Sequence, residues 1–157
     1  MAALPLIDLS TIDLNKLVVT REEIYQYLPH RFEFMQLDGI VHIDVPSQIA
    51  VGLREVRTDE FWVKGHIPGR PLMPGVLMLE TAAHMASYLS NAVQPMDRFL
   101  GFGGLDNVKF RGAVVPPARM YILIKGTDIR PRRTICDAQG IVDGKLVFEA
   151  CITGLPV

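Results

Sequence analysis

Residues 74–91 limit most strongly what this chain can fold into. Leu77, Met78, Leu79, Ala82, Met85, Ala86 and Leu89 leave a helix over this span apolar on nearly every side. Such a helix has to be buried from several directions. A strongly twisted antiparallel sheet wrapped around one central helix meets that demand and gives an α+β fold class. Pro74 fits the first turn, where its missing N–H costs nothing, and Pro95 lies just past the far end. The one side with polar chemistry carries Val76, Glu80, Ala83, His84 and Ser87.

The flanking sequence supplies the sheet. Strands are expected over 34–45, 49–56 and, briefly, 61–64, with a bulge or turn at Asp38-Gly39. Four more follow the helix, over 100–110, 119–127, 134–142 and 146–155. Asp143-Gly144 between two β-rich runs marks a tight hairpin. Before the first strand, Thr20-Arg21-Glu22-Glu23 has the capping-box spacing. It predicts a short helix through Ile24, Tyr25 and Leu28, stopped by Pro29. Residues 1–19 read as an arm and 20–157 as one domain, a size that supports a real core.

Composition excludes several classes of function. A net charge of −1 gives no global field for nucleic acid. Two cysteines, Cys136 and Cys151, make neither a disulfide framework nor a zinc cluster. No stretch has the length of a membrane span, and the N-terminus lacks the pattern of a secretory signal. The expected setting is cytoplasmic and reducing. Gly101-Phe102-Gly103-Gly104 does not have the spacing of a dinucleotide or phosphate loop.

The chemistry gathers around Gly65-His66-Ile67-Pro68-Gly69-Arg70-Pro71-Leu72-Met73-Pro74-Gly75-Val76. His66 stands in a loop stiffened by proline, where a general base needs fixed placement. Glu80 is a lone carboxylate past the first helical turn, in apolar company that should raise its pKa and suit a general acid. The backbone N–H groups of Gly75 and Val76 are free at the helix start and suit a carbonyl oxygen gaining charge. Base, acid and oxyanion donor together fit dehydration or hydration of a β-hydroxy carbonyl compound. His84, one turn after Glu80, can orient that acid. His30 and Arg31 either cap the first helix or cover the mouth of the site. The trio of His66, Glu80 and His84 lacks the familiar zinc motifs, so no metal is expected. The cations Arg70, Lys109, Arg111, Arg119, Arg130, Arg132 and Arg133 read as solvated surface unless the fold gathers them around one entrance.

These motifs resemble the β-hydroxyacyl-acyl-carrier-protein dehydratases of type II fatty acid synthesis, the group active on a broad range of chain lengths. The similarity runs through Leu28-Pro29-His30-Arg31-Phe32 with Asp38, the long block from Gly65 to Glu80, and Asn107 to Pro116. The resemblance implies a hotdog fold and a homodimer, often a trimer of dimers. It implies sites between subunits, with His66 of one chain and Glu80 of the other facing one acyl chain. It implies a thioester on the phosphopantetheine arm of acyl carrier protein as substrate, with no cofactor. Glu rather than Asp at position 80 matches the broad-range group and not its isomerising relatives. Three positions depart from the family: His84 for Gln, Glu33 for Pro, and Pro117-Ala118 for Gly-Asp. Acyl-thioester hydrolysis on the same fold, or acyl-chain binding without turnover, are the competing functions.

Overall fold

A computed structural model describes residues 3–157 of the chain. Its architecture is a sheet of seven antiparallel strands curled around one long helix, the hotdog arrangement. The strands are β1 (Val19–Thr20), β2 (Gly39–Asp44), β3 (Ile49–Val56), β4 (Leu100–Phe110), β5 (Ala118–Arg130), β6 (Arg133–Val142) and β7 (Lys145–Pro156). Their order is β1-β2-β3-β5-β6-β7-β4, which leaves the eleven-residue β4 as one edge. The helices are α1 (Arg21–Tyr27) and the central α2 (Gly75–Val93).

Helix α2 buries Leu77, Met78, Leu79, Ala82, Met85, Ala86 and Leu89 against the concave face of the sheet. Each large apolar side chain taken out of water contributes about 1.5–3 kcal/mol, so this face anchors the domain. Pro74 caps the helix rather than entering it, because its ψ of 131° is extended. Gly75, the first helical residue, lies under the ring of Phe110. A Cβ at Gly75 would come within 2.6 Å of that ring, so any larger residue there requires Phe110 to shift.

Local signals in the sequence hold where their partners are close in the chain. Thr20 and Glu23 close the capping box, with Thr20 N–H donating to the Glu23 carboxylate at 2.7 Å. Leu28, before Pro29, leaves α1 in extended conformation. Asp143 and Gly144 both take positive φ, 49° and 72°, as the tight β6–β7 hairpin requires.

Three expectations about local structure fail. Residues 61–64 form turns and not a strand. Glu60 accepts from the Arg57 N–H at 2.8 Å and pairs with the buried Arg54, and its own carbonyl accepts from Val63 N–H at 3.1 Å. This folds the chain back on itself and overrides the β propensity of Phe61-Trp62-Val63. The strand expected from 34 begins only at Gly39. Ahead of it, Phe32–Phe34 is a 3-10 turn, and Leu37 N–H bonds to the Tyr25 hydroxyl instead of a strand neighbour. The sheet irregularity lies between Ile40 and His42 rather than at Asp38-Gly39.

The N-terminal segment lies on the convex face. Ile7 is buried there with Val41, Val51, Leu53, Leu123 and Ile141, and Leu6, Leu9, Ile12 and Leu14 pack around them. Gln139 fastens it by accepting from Leu6 N–H at 2.7 Å and donating to the Leu4 carbonyl at 3.1 Å. No helix among the described residues is long and apolar enough to cross a membrane.

Candidate active site

The polar side of α2 opens onto a cavity of about 200 Å³ between the helix and strands β4, β6 and β7. Glu80, Ala83, His84 and Ser87 line it, as their helical spacing predicts, whereas Val76 faces away and is 70% exposed. Phe99, Leu100, Phe102, Ile152 and Gly154 make the rest of the cavity mainly apolar, with Thr134 among them. The ionisable groups His30, Glu80 and His84 sit together in its wall.

Glu80 is bonded by one histidine and approached by another. His84 Nε2 lies 2.9 Å from its carboxylate and His30 Nε2 3.7 Å from the same oxygen. His84 is fully enclosed; its Nδ1 meets the Tyr25 hydroxyl at 2.9 Å. The His30 ring stacks on His84 with centroids 3.8 Å apart, and Phe99 touches His30 edge-on at 5.5 Å. Apolar company alone should raise the carboxyl pKa of Glu80, but the structure shows the reverse. The His84 hydrogen bond outweighs desolvation and holds Glu80 below the usual carboxylate range. Burial, reinforced by His84, pushes His30 down to about 4, which leaves it neutral at pH 7.

Tyr25 belongs to this network, although the sequence marks it only as an apolar-face residue of α1. The signal available was a tyrosine on a buried stripe, since a buried hydroxyl needs a partner. Its partner stands 59 positions away, so the sequence does not reveal it.

His66 sits elsewhere. It is exposed, in the loop before α2, and is not among the residues around the cavity. Its backbone N–H donates to Trp62 O at 2.9 Å, and its Nδ1 lies 2.6 Å from the Leu72 carbonyl. A carbonyl only accepts, so Nδ1 carries a proton there, which leaves Nε2 as the ring nitrogen outside that contact. The single chain thus fixes His66 and Glu80 without bringing them together. Pro74 offers no side-chain cap, so the first N–H groups of α2, at Gly75 and Val76, have no side chain bonded to them from the cap.

Arg31 is used at the end of α1, donating to the carbonyls of Leu28 at 2.9 Å and His30 at 2.7 Å. The scattered cations do not gather at the cavity: Lys109 and Arg111 pair with Glu149, Arg119 with Glu55, and Arg130 and Arg133 with Asp128.

His30, Glu80 and His84 offer three metal-ligand atoms within 4.8 Å of one another. Ligation through His84 Nε2 would require that nitrogen to give up the proton with which it reaches Glu80. His84 and Glu80 are spent on each other, and His30 alone keeps an unbonded nitrogen, so the set suits a held carboxylate better than a cation.

Comparison with known proteins gives this geometry its family. The FabA-like domain profile matches residues 28–151. The 3-hydroxyacyl-(acyl-carrier-protein) dehydratase FabZ of Geobacter metallireducens is 35% identical over 131 residues, covering 82% of this chain and 87% of that protein. The enzyme of the same name from Geotalea uraniireducens is 39% identical over 133 residues, covering 82% and 90%. Among solved structures, the dehydratase heterocomplex ApeI:P from Xenorhabdus doucetiae shares the fold at a TM-score of 0.72 and 13% identity, over 85% of this chain and 90% of that one. With the profile spanning most of the domain and both relatives well above 30% identity, the chain belongs to the FabA-like domain family.

Proposed function

We propose that this protein dehydrates (3R)-3-hydroxyacyl thioesters, carried on the phosphopantetheine arm of acyl carrier protein, to trans-2-enoyl thioesters in fatty acid synthesis. The observation that carries the reading is Glu80, held by His84, in the wall of a mainly apolar cavity, in a chain whose relatives are named as 3-hydroxyacyl-(acyl-carrier-protein) dehydratases.

The chemistry follows from the side chains. His66 Nε2 takes the proton from C2, and the C2–H electrons become the C2=C3 double bond as the C3–O bond breaks. Glu80 gives its proton to the departing hydroxyl, which leaves as water. The proton on His66 then returns to the Glu80 carboxylate, restoring both groups. The N–H groups of Gly75 and Val76 receive the thioester oxygen as it gains charge. Because His84 favours the ionised carboxylate, the acid form of Glu80 is the minor one at neutral pH, and turnover draws on that fraction. Only protons move, so the cycle needs no cofactor.

His66 reaches the cavity from a second copy of the chain. Support comes from its exposure and from the unpaired β4 edge, where Phe102, Leu105 and Phe110 are 40–53% exposed. A long apolar edge of this kind calls for a partner strand. The free thiols of Cys136 and Cys151 fit a reducing, cytoplasmic setting.

The test is to incubate the protein with a short 3-hydroxyacyl thioester while following enoyl absorbance and thiol release together. Enoyl absorbance rising without free thiol is the expected result. Thiol release without a conjugated product would make the protein a thioesterase, and binding without either would make it a carrier.

A further inference from the structure

The Tyr25–His84–Glu80 line has one hydrogen-bond polarity that satisfies every atom. Leu37 N–H lies 2.8 Å from the Tyr25 hydroxyl oxygen, and a backbone N–H can only donate. It therefore occupies a lone pair of that oxygen. The phenol proton is left to point at His84 Nδ1, 2.9 Å away. Burial pushes Tyr25 up to about 12, so that proton is present at neutral pH. Nδ1 is then an acceptor, Nε2 carries the ring proton, and Nε2–H donates to Glu80 across 2.9 Å.

The opposite polarity fails twice. With the proton on Nδ1, the buried phenol hydrogen would have lost its acceptor. The Nε2 lone pair would also face a carboxylate lone pair at 2.9 Å, two acceptors with no hydrogen between them.

We propose that Tyr25 is a positioning residue for catalysis: together with Glu80 it fixes the His84 tautomer, so that the Nε2–H holds the Glu80 carboxylate in one orientation. This deepens the dehydratase reading and rests on it for the role of Glu80. The device suits this chain because His84 has two distinguishable nitrogens and must be told which one to protonate. The Gln that the resembled family carries at this position has no tautomer to set. Helix α1, registered by its capping box, delivers the tyrosine, and the stacked His30 ring limits rotation of His84.

The experiment has two arms. Nitrogen-15 NMR of the histidine-labelled protein, with His84 assigned by the signal lost in His84→Gln, reads the tautomer directly. The expected parent spectrum shows His84 protonated at Nε2 and accepting at Nδ1. Tyr25→Phe should leave Nε2 protonated against Glu80 and move the Nδ1 signal to that of a nitrogen without a hydrogen-bond donor, and an unmoved Nδ1 signal would overturn the proposal. A parent His84 protonated at Nδ1 overturns the proposal, whether or not Tyr25→Phe folds. The kinetic arm places Tyr25→Phe in two backgrounds. In the parent, kcat should fall about tenfold with KM nearly unchanged, the rate equivalent of one hydrogen bond. In the His84→Gln background the same substitution should change kcat less than about twofold, because nothing remains for it to orient. The lost acceptor for Leu37 N–H is common to both backgrounds, so equal penalties would reduce Tyr25 to packing and overturn the proposal. Absence of dehydration by the parent would sink the functional reading instead, and the tautomer measurement stands apart from it.

Discussion

Glu80 and His66 are built in opposite ways. Glu80 lies in a network closed within one chain, with partners drawn from α2, from α1 through Tyr25 and from the segment after α1 through His30. His66 is exposed and fastened only by one ring contact to the Leu72 carbonyl and one backbone bond to Trp62. One half, Glu80, is fixed inside a single chain, whereas the other, His66, is oriented in an exposed loop. Under the dehydratase chemistry proposed above, a second chain has to bring the two together.

The largest expected effect removes either half. His66→Ala and Glu80→Gln should each lower kcat for dehydration by about 10²–10⁴-fold, read as enoyl absorbance from a 3-hydroxyacyl thioester. Near-parental turnover in either variant would show that the residue has no part in proton transfer.

A smaller effect separates the supports of the two halves. The turns that carry His66 rest on Arg54, which is only 3% exposed and pairs with Glu60 and Asp38. Arg54→Met keeps the bulk but takes from Glu60 its side-chain partner, while Asp38 keeps Arg57 and Arg21, a change that typically costs about 1–3 kcal/mol. Urea denaturation should show the loss. An unchanged midpoint would mean that the 57–66 segment does not depend on this cluster.

The smallest effect belongs to the acid half and to pH. Folded His30 resists its proton down to about 4, whereas its ordinary value is 6.5. Between those values the unfolded chain binds more protons, so stability is complete above about 6.5 and is lost as pH falls toward 4. Glu80, held below its ordinary range, adds a further loss at still lower pH as its carboxylate is finally protonated. His30→Gln should flatten the decline between 6.5 and 4, measured as denaturation midpoint against pH. A decline equal to the parent's would remove His30 from the acid-sensitive groups.

What could be read from the chain alone divides along the same line. The capping box at Thr20, the hairpin at Asp143-Gly144, the buried helix from Gly75 and the shared side of Glu80 and His84 all depend on neighbours within a few residues. Their chemistry is therefore legible in sequence. The turns at 61–64 and the late start of β2 depend on Arg54 and Tyr25, whose pull on the local backbone leaves no mark in hydrophobic pattern. The depressed carboxyl of Glu80 shows the same division. Apolar neighbours on the helix argue for a raised pKa, but the histidine one turn away decides the sign once its ring is locked in place. The exposure of His66 in its loop has no signature in the hydrophobic pattern either.

Mixing two inactive variants tests the divided site most directly. His66→Ala and Glu80→Gln chains are unfolded together, refolded and assayed for dehydration. If each site takes its base from one chain and its acid from the other, a mixed dimer has one site with both groups intact. Random pairing then restores about one quarter of parental activity. If both groups act within one chain, every site in a mixed dimer lacks one of them. Mixed dimers that form, shown by differently tagged chains, yet recover no activity would contradict the account.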